Sequence, residues 1–356
     1  MGYSPYSPRG LVHADAAKSS PGYTIFATMS GDSVYLLDGK AQVVRNWQPP
    51  AGVKPFGAEM LDNGNLFLHC VDGSERWPFG GAGAVFFELD WQGSAVWQYR
   101  DPVLHHDSCW LQNGNLLVIG WELLGPEMAS RVQGGVASAG YPDGTIIGDF
   151  LREVDRAGNT VWEWHASGHL DPGVETICPL DGRREWTHCN SVEELPDGNL
   201  LLSFRQTSSV MVLDRTSGRA AWRIQPGITS HQHAPTLLPS GSYLVFDNGE
   251  HRIGGGSYSR VIEFDPSRQE VKWEYRGAPR DSFFSTGISN AQRLPNGNTL
   301  ICEGRCGRIF EVTQDCEIVW DYLNPYQFPH RDEPTQQAIY RAYRYAADSP
   351  QIRNRV

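Results

Sequence analysis

Histidine, asparagine and arginine recur at fixed distances from one repeated glycine turn, and this spacing is the first sign of chemistry in the sequence. Five phrases carry the turn: LDNGNLFL (61–68), LQNGNLLV (111–118), LPDGNLLL (195–202), LPSGSYLV (238–245) and LPNGNTLI (294–301). Eight residues before each turn glycine stand Phe56, His106, Asn190, His233 and Ser289. Ten residues before it, His188 and His231 join the same face, because strand side chains alternate with period two. Seven residues after it stand Trp121, Arg205, Asn248 and Gly304. A neutral imidazole is a competent nucleophile near pH 7, with a reference pKa of about 6.5. A second imidazole moves a proton, and Arg and Asn offer hydrogen-bond donors to an oxyanion.

A single buried histidine is more often a structural hydrogen-bonding residue than a catalyst. Four of the eleven histidines in one frame, with an Arg and an Asn, favour chemistry. His105, one residue out of register, is expected to face away. His13, His69, His165, His169, His251 and His330 fall outside the frame and read as surface or loop residues. Asp107 and Asp247 are placed either to orient imidazoles or to cap strand ends. Phe56, Trp121 and Phe284 suit either an aryl ring or the core.

The elements that must hold these residues follow from a second phrase. After each turn-strand comes an apolar pair, an acidic or similar residue, a turn and a tryptophan, as in ELDWQGSAVWQY and EVDRAGNTVWEW. The tryptophans are Trp47, Trp97, Trp162, Trp222, Trp273 and Trp320, read as outer-strand residues that pack blade on blade. Six such units, each two hairpins long, predict an all-β, six-bladed β-propeller filling one domain, 1–356. The blades fall near 22–49, 56–99, 106–164, 188–224, 233–275 and 289–322. In such a fold the inner strands line a central channel, and repeat-equivalent residues converge there. Residues 121–150 form a Gly-rich insertion that suits a lid over one mouth. The tail, 327–356, outlasts the last blade; its QQAIYRAYRY stretch has some helical pattern and is placed either to close or to cover the ring.

Composition narrows the function classes. The 356 residues carry a formal charge of −11, which excludes the Lys/Arg-based binding of a nucleic-acid backbone. No apolar run approaches the roughly 18 residues of a membrane span. The first ten residues show neither a basic region nor an apolar core of a signal peptide. Seven cysteines, with no CxxC pair, argue against a disulfide framework and for a reducing compartment. The expectation is a cytoplasmic protein; the alternative is a periplasmic or secreted one whose signal peptide this chain lacks. A homodimer is compatible with the sequence.

The runs HHD (105–107), THCNSVEELPDGN (187–199), LSFR (202–205), HQHAPTLLPSG (231–241), FDNG (246–249) and YSRVIEFDP (258–266) resemble the arylsulfotransferase (aryl-sulfate sulfotransferase) family. The resemblance spans roughly residues 22–326. It implies a six-bladed propeller that moves a sulfuryl group between phenols through a sulfated histidine, without a nucleotide donor (PAPS-independent). Carried over, His233 is the nucleophile, and His188 and Asn190 match the family's HxN pair. Arg205 matches its sulfate-binding arginine and His106 its earlier histidine. The small aromatic or anionic substrate would then meet His231, Phe56, Trp121, Asn248 and Ser289 near the site, and no cofactor is expected. The sequence departs from the best-known members in lacking a separate N-terminal domain, and its last repeat offers Ser289 and Asn290 at the polar position.

Two other classes remain open from the residues. His231 and His233 on one strand face, with His106 and His188, form a candidate ligand set for a divalent metal ion such as Zn²⁺ or Cu²⁺. Propellers with such sites act as polysaccharide lyases or oxidases. Against this, the channel-facing register holds no carboxylate, and Arg205 would repel a dication. A non-catalytic binding propeller is the third class.

Overall fold

Each of the five repeated turns closes the same way. Gly64, Gly114, Gly198, Gly241 and Gly297 lie at φ between 79° and 89°, a region that L-residues avoid. In each turn the leading leucine N–H donates to the carbonyl four residues on, at 2.8 Å in every case. The residue after the glycine then locks the turn to the third strand. Asn65 donates to Glu88 at 2.7 Å, Asn115 to Glu153 at 2.5 Å and Asn298 to Glu311 at 2.6 Å. These three glutamates are buried, so each needs its partners. Arg215 and Arg344 complete two of the locks by pairing with Glu153 and Glu311.

The computed structural model describes residues 9–29, 31–330 and 333–356. Residues 1–8, on which most of the signal-peptide expectation rests, lie outside the described residues. The fold is an all-β, six-bladed β-propeller, with 46% strand and 6% helix. The blades divide between two compact units of three blades each.

The first unit takes the described residues up to 75, then 83–102 and 282–356. Its blade built on Tyr23–Thr28, Val34–Leu37 and Val43–Trp47 has no first strand of its own in the local sequence. The strand Ile339–Tyr345 supplies it from the tail, antiparallel to Tyr23–Thr28. The stretch that reads as partly helical is therefore a blade strand. Its alternate side chains pack among Ile25, Phe26 and Leu36, which outweighs the helix propensity of the isolated segment. Gly10–Ala14 adds a fifth strand beside Ile318–Leu323.

The second unit comprises residues 76–82 and 103–281. Its four-stranded blades begin with Leu104–Trp110, Cys189–Glu194 and His233–Leu237. The insertion at 121–150 is folded. Its ends prolong the blade strands Leu116–Leu123 and Ile147–Val154, and Pro126–Arg131 forms a short helix. Gly134–Val136 then pairs in parallel with Ile177–Gly182 from the next connection. Leu124, Val132, Ile146, Ile177 and Trp186 join this layer to the blade core. The Trp186 indole donates to the Glu175 carbonyl at 2.6 Å.

Four tryptophans join neighbouring blades through a single bond type. Trp47, Trp222 and Trp320 donate their indole N–H to the last-turn carbonyls of Trp91, Pro266 and Gly39, at 2.9, 2.9 and 3.0 Å. In the third repeat Trp164 fills that role, donating to Gly218 at 3.0 Å, while Trp162 sits half-buried with Arg215 over its ring. The motif WEW holds both, Trp162 opposite Glu153 and Trp164 opposite Leu151. Trp164→Phe should lower stability by at least about 1 kcal/mol, because it orphans a carbonyl and leaves a void. Trp162→Phe should stay within about 0.5 kcal/mol. Urea unfolding midpoints of the two variants check this order; equal effects would contradict it.

Candidate functional site

Positive φ at three histidines sets the geometry of the second unit. His106, His188 and His231 lie at 52°, 54° and 56°, with Thr187 at 75° and Ala234 at 48°. Each kink falls within two residues of the start of a blade's first strand, where the strand is also bulged. Pairing slips between Val118 and Gly120, between Cys189 and Ser191, and between His233 and Thr236. A bulge inserts residues and cancels the period-two rule locally. His105 therefore does not face away. Its ring stacks on Trp121, with centroids 4.2 Å apart and planes 7° apart, and it reaches the same network as His106.

That network is a row of three imidazoles between two carboxylates. His105 Nδ1 meets His106 Nδ1 at 2.9 Å, and His106 Nε2 meets His188 Nε2 at 3.0 Å. His188 Nδ1 meets Glu185 Oε2 at 2.7 Å. His105 Nε2 lies 3.1 Å from Asp149 Oδ1, off the line of a hydrogen bond. Three neutral rings bring three N–H groups, one for each aligned contact. His188 then donates to Glu185, His106 to His188 and His105 to His106, an assignment drawn from the contacts.

The backbone holds both ends of the row. Asp149 Oδ2 accepts from the Thr187 hydroxyl and, at 2.8 Å, from the Cys189 N–H. Ile147 pins Glu185 on both sides, its N–H donating to Arg184 and its carbonyl accepting from Trp186. Gly81 approaches so closely that a Cβ there would stand 1.9 Å from the His106 ring, and its carbonyl accepts the His106 N–H at 2.7 Å.

A second cluster surrounds Asp181. His231 Nε2 lies 2.6 Å from Asp181 Oδ2, and His251 Nδ1 lies 3.6 Å from Asp181 Oδ1. Cys178 Sγ lies 3.4 Å from His251 Nδ1. Arg205 pairs with Glu250 and stands 3.8 Å from Asp181. Burial alone would raise the Asp181 carboxyl, but the His231 hydrogen bond and the nearby Arg205, His231 and His251 outweigh it and hold it below its ordinary value. Burial, reinforced by the Asp181 charge, holds the Cys178 thiol above its ordinary value.

His233 has an uncharged partner at Nδ1. That nitrogen lies 2.7 Å from Asn248 Oδ1 and 3.2 Å from the His231 carbonyl. Both are acceptors, so Nδ1 carries the hydrogen and the lone pair of the neutral ring sits on Nε2. Asn190 donates to the Gln232 carbonyl at 2.9 Å, and Gln232 donates onward to Ser203, Phe204 and Ser209. The residue between His231 and His233 is thus clamped.

The sequence-derived residues divide among these groups. His106 pairs with His188, His231 and Arg205 share Asp181, and His233 pairs with Asn248. The four-histidine metal set is split, since His106 and His188 bond each other while His231 turns to Asp181. Phe56 and Ser289 belong to the first unit. Phe56 packs there with Ile288, Ala338 and Tyr340, and Ser289 accepts from the Gly304 N–H at 2.9 Å. Trp121 is buried under the His105 ring. Asp247 pairs with Arg252 and Arg260, and Asp107 accepts from the Val192 N–H, so these contacts are structural. His69 is buried among Phe56, Phe67 and Phe86 rather than on the surface.

The carboxylates are what the repeat frame missed. Asp149, Asp181 and Glu185 reach the histidines and Glu250 reaches Arg205, yet none occupies a channel-facing repeat position. They arrive on the insertion, on the long connection 165–187 and just after FDNG. The length of that connection, and the acidic residues directly before THCN and after FDNG, were the available signals. Asp149→Ala should cost about 2–6 kcal/mol, because it orphans a buried hydroxyl and an amide at once. Asp149→Asn, which keeps one acceptor oxygen, should cost less. Chemical denaturation of both variants tests the ranking, and a near-neutral alanine variant would refute the role.

No helix of the described residues is long and apolar enough to cross a membrane. Comparison with curated proteins gives no match. Among solved structures, the chain is similar to a protein of unknown function from Bacteroides caccae, at 12% identity and a TM-score of 0.57, covering 91% of this chain and 98% of that one. It is also similar to a streptogramin B lyase, at 11% identity and a TM-score of 0.50, covering 95% and 93%. Identities this low speak for the fold alone. The family model described as Arylsulfotransferase (ASST) matches residues 57–325, well over half of the sequence. With that match, the chain belongs to the arylsulfotransferase family.

Proposed function

We propose that this protein transfers a sulfuryl group from an aryl sulfate to a phenol, without a nucleotide donor, through a covalent intermediate on His233. Family membership supports a transferase of the sulfotransferase type. The observation that carries the finer reading is the contact between His233 Nδ1 and Asn248 Oδ1 at 2.7 Å. A carboxylate beside an imidazole favours the imidazolium, which has no lone pair to give, whereas an amide oxygen adds no charge. His188 and His231 face Glu185 and Asp181; His233 faces an amide. His233 is therefore the histidine best kept neutral, with Nε2 as its nucleophilic atom.

In the proposed cycle, His233 Nε2 attacks sulfur as the aryl S–O bond breaks in line, with charge spread over the three remaining oxygens. The departing phenolate takes a proton from the His106–His188 row, which enters the cycle with one proton beyond its three N–H groups. The sulfated ring keeps its Nδ1–H, and Asn248 Oδ1 stabilises the positive charge that the ring acquires. An acceptor phenol then gives its proton back to the row and attacks sulfur, which regenerates neutral His233. The cycle needs no organic cofactor. Arg205 is held by Glu250 and Asp181, so it serves the sulfate only as part of that paired group. The seven thiols suit a reducing compartment.

Purified protein should transfer sulfate from nitrophenyl sulfate to phenol, and His233→Ala should abolish the reaction. His188→Ala should leave a trace, lower by roughly 10²- to 10⁴-fold, the usual worth of a positioned proton carrier. Mass spectrometry after mixing with donor alone should find a sulfuryl group on His233. A His233→Ala variant with undiminished turnover, or wild-type protein that transfers no sulfate, would overturn the reading.

A further inference from the structure

We propose that Cys178, Asp181, His231 and His251 form a binding site for one divalent zinc-type metal ion. The site is separate from the nucleophile, and the inference does not depend on the transfer reading. The four ligand atoms, one from each residue, lie within 4.8 Å of one another. They come from the strand Ile177–Gly182 and from two loops that flank a blade's first hairpin, at 231 and 251. Zinc bonds of about 2.0–2.3 Å to nitrogen, oxygen and sulfur imply tetrahedral edges of about 3.3–3.7 Å. The two contacts of His251 Nδ1, 3.4 Å to Cys178 and 3.6 Å to Asp181, already have that length. The 2.6 Å contact between His231 and Asp181 is a hydrogen bond that an ion would replace.

Two further observations point to a ligand. His231 and His251 both adopt positive φ, 56° and 57°, so backbone strain is spent at each ring of the pair. Their centroids stand 4.9 Å apart, edge to face. Charge also favours a cation despite Arg205. Asp181, Glu250 and a Cys178 thiolate carry three negative charges against the one positive charge of Arg205, and a dication brings the group to neutrality. Binding releases the thiol proton to solvent as the S–metal bond forms. Thiolate with imidazole selects zinc-type ions over magnesium or calcium. Such an ion would tie the accessory strand to the loops on either side of His233.

The test is a cobalt(II) titration of the full-length protein after dialysis against a chelator. One equivalent should develop the thiolate-to-cobalt charge-transfer band and the intense visible bands of a four-coordinate ion, and zinc should displace it. Cys178→Ser should lose the charge-transfer band, and His251→Ala should weaken zinc binding by at least the about 10- to 100-fold that outer ligands are worth. Cys316→Ser, at an exposed thiol, should bind as the parent does. Absence of the band in the parent overturns the proposal, as does a band that survives in Cys178→Ser. Because the readout is metal binding, its failure is distinct from a failure of sulfuryl transfer.

Discussion

Left-handed backbone at His106, His188 and His231 is the constraint from which the second unit's chemistry follows. An L-residue held there costs of order 1–3 kcal/mol, so the surroundings must over-determine it. They do so with backbone bonds on each kink: His106 to Gly81, Arg205 to His188, and the His231 N–H to Ser208. The kinks reverse the usual alternation of side chains. That reversal is what lets His105 and His106 enter one network, and what lets His188 and Asn190 serve different partners two residues apart.

The kinks would be of little use without the carboxylates that meet them. Asp149 sits where the insertion runs into the blade strand Ile147–Val154, and the other charged partners come from segments between the repeats. Glu185 and Asp181 ride on the connection that pairs with the folded insertion, and Glu250 follows the FDNG turn. A propeller blade offers rigid strands of fixed spacing, and the connections supply the charge. The same division appears in the turn locks. There the Asn–Glu contacts belong to the blades themselves, and they fix the strand ends from which the connections leave.

How much of this was legible depended on whether a feature repeats. The glycine turn, the outer tryptophans and the six units could be counted directly, and the fold followed from them. The first blade's missing strand left no mark in the repeat count, and the segment that fills it reads as partly helical on its own. Tertiary packing, not local pattern, decides Ile339–Tyr345. The histidines in the repeat frame were found, but their directions were not, since one positive φ is enough to undo a period-two argument. His251 and Cys178 carried no repeat signal at all, and only the fold brings them to Asp181.

The arrangement separates two uses of histidine that a bare cluster would confuse. An imidazole that must give its lone pair to sulfur is best left beside a neutral acceptor, which fixes its tautomer without drawing a second proton. An imidazole that must store or pass a proton is best set against a carboxylate or another ring. His233 with Asn248 has the first environment, and His105, His106 and His188 between Asp149 and Glu185 have the second. His231 and His251, with a thiol and a carboxylate, have a third, suited to a soft cation. The clamp of Asn190 on Gln232 stands between the first and third environments. It keeps His231 turned to Asp181 while His233, two residues on, turns to an amide, so adjacent positions on one chain segment can meet opposite electrostatic demands.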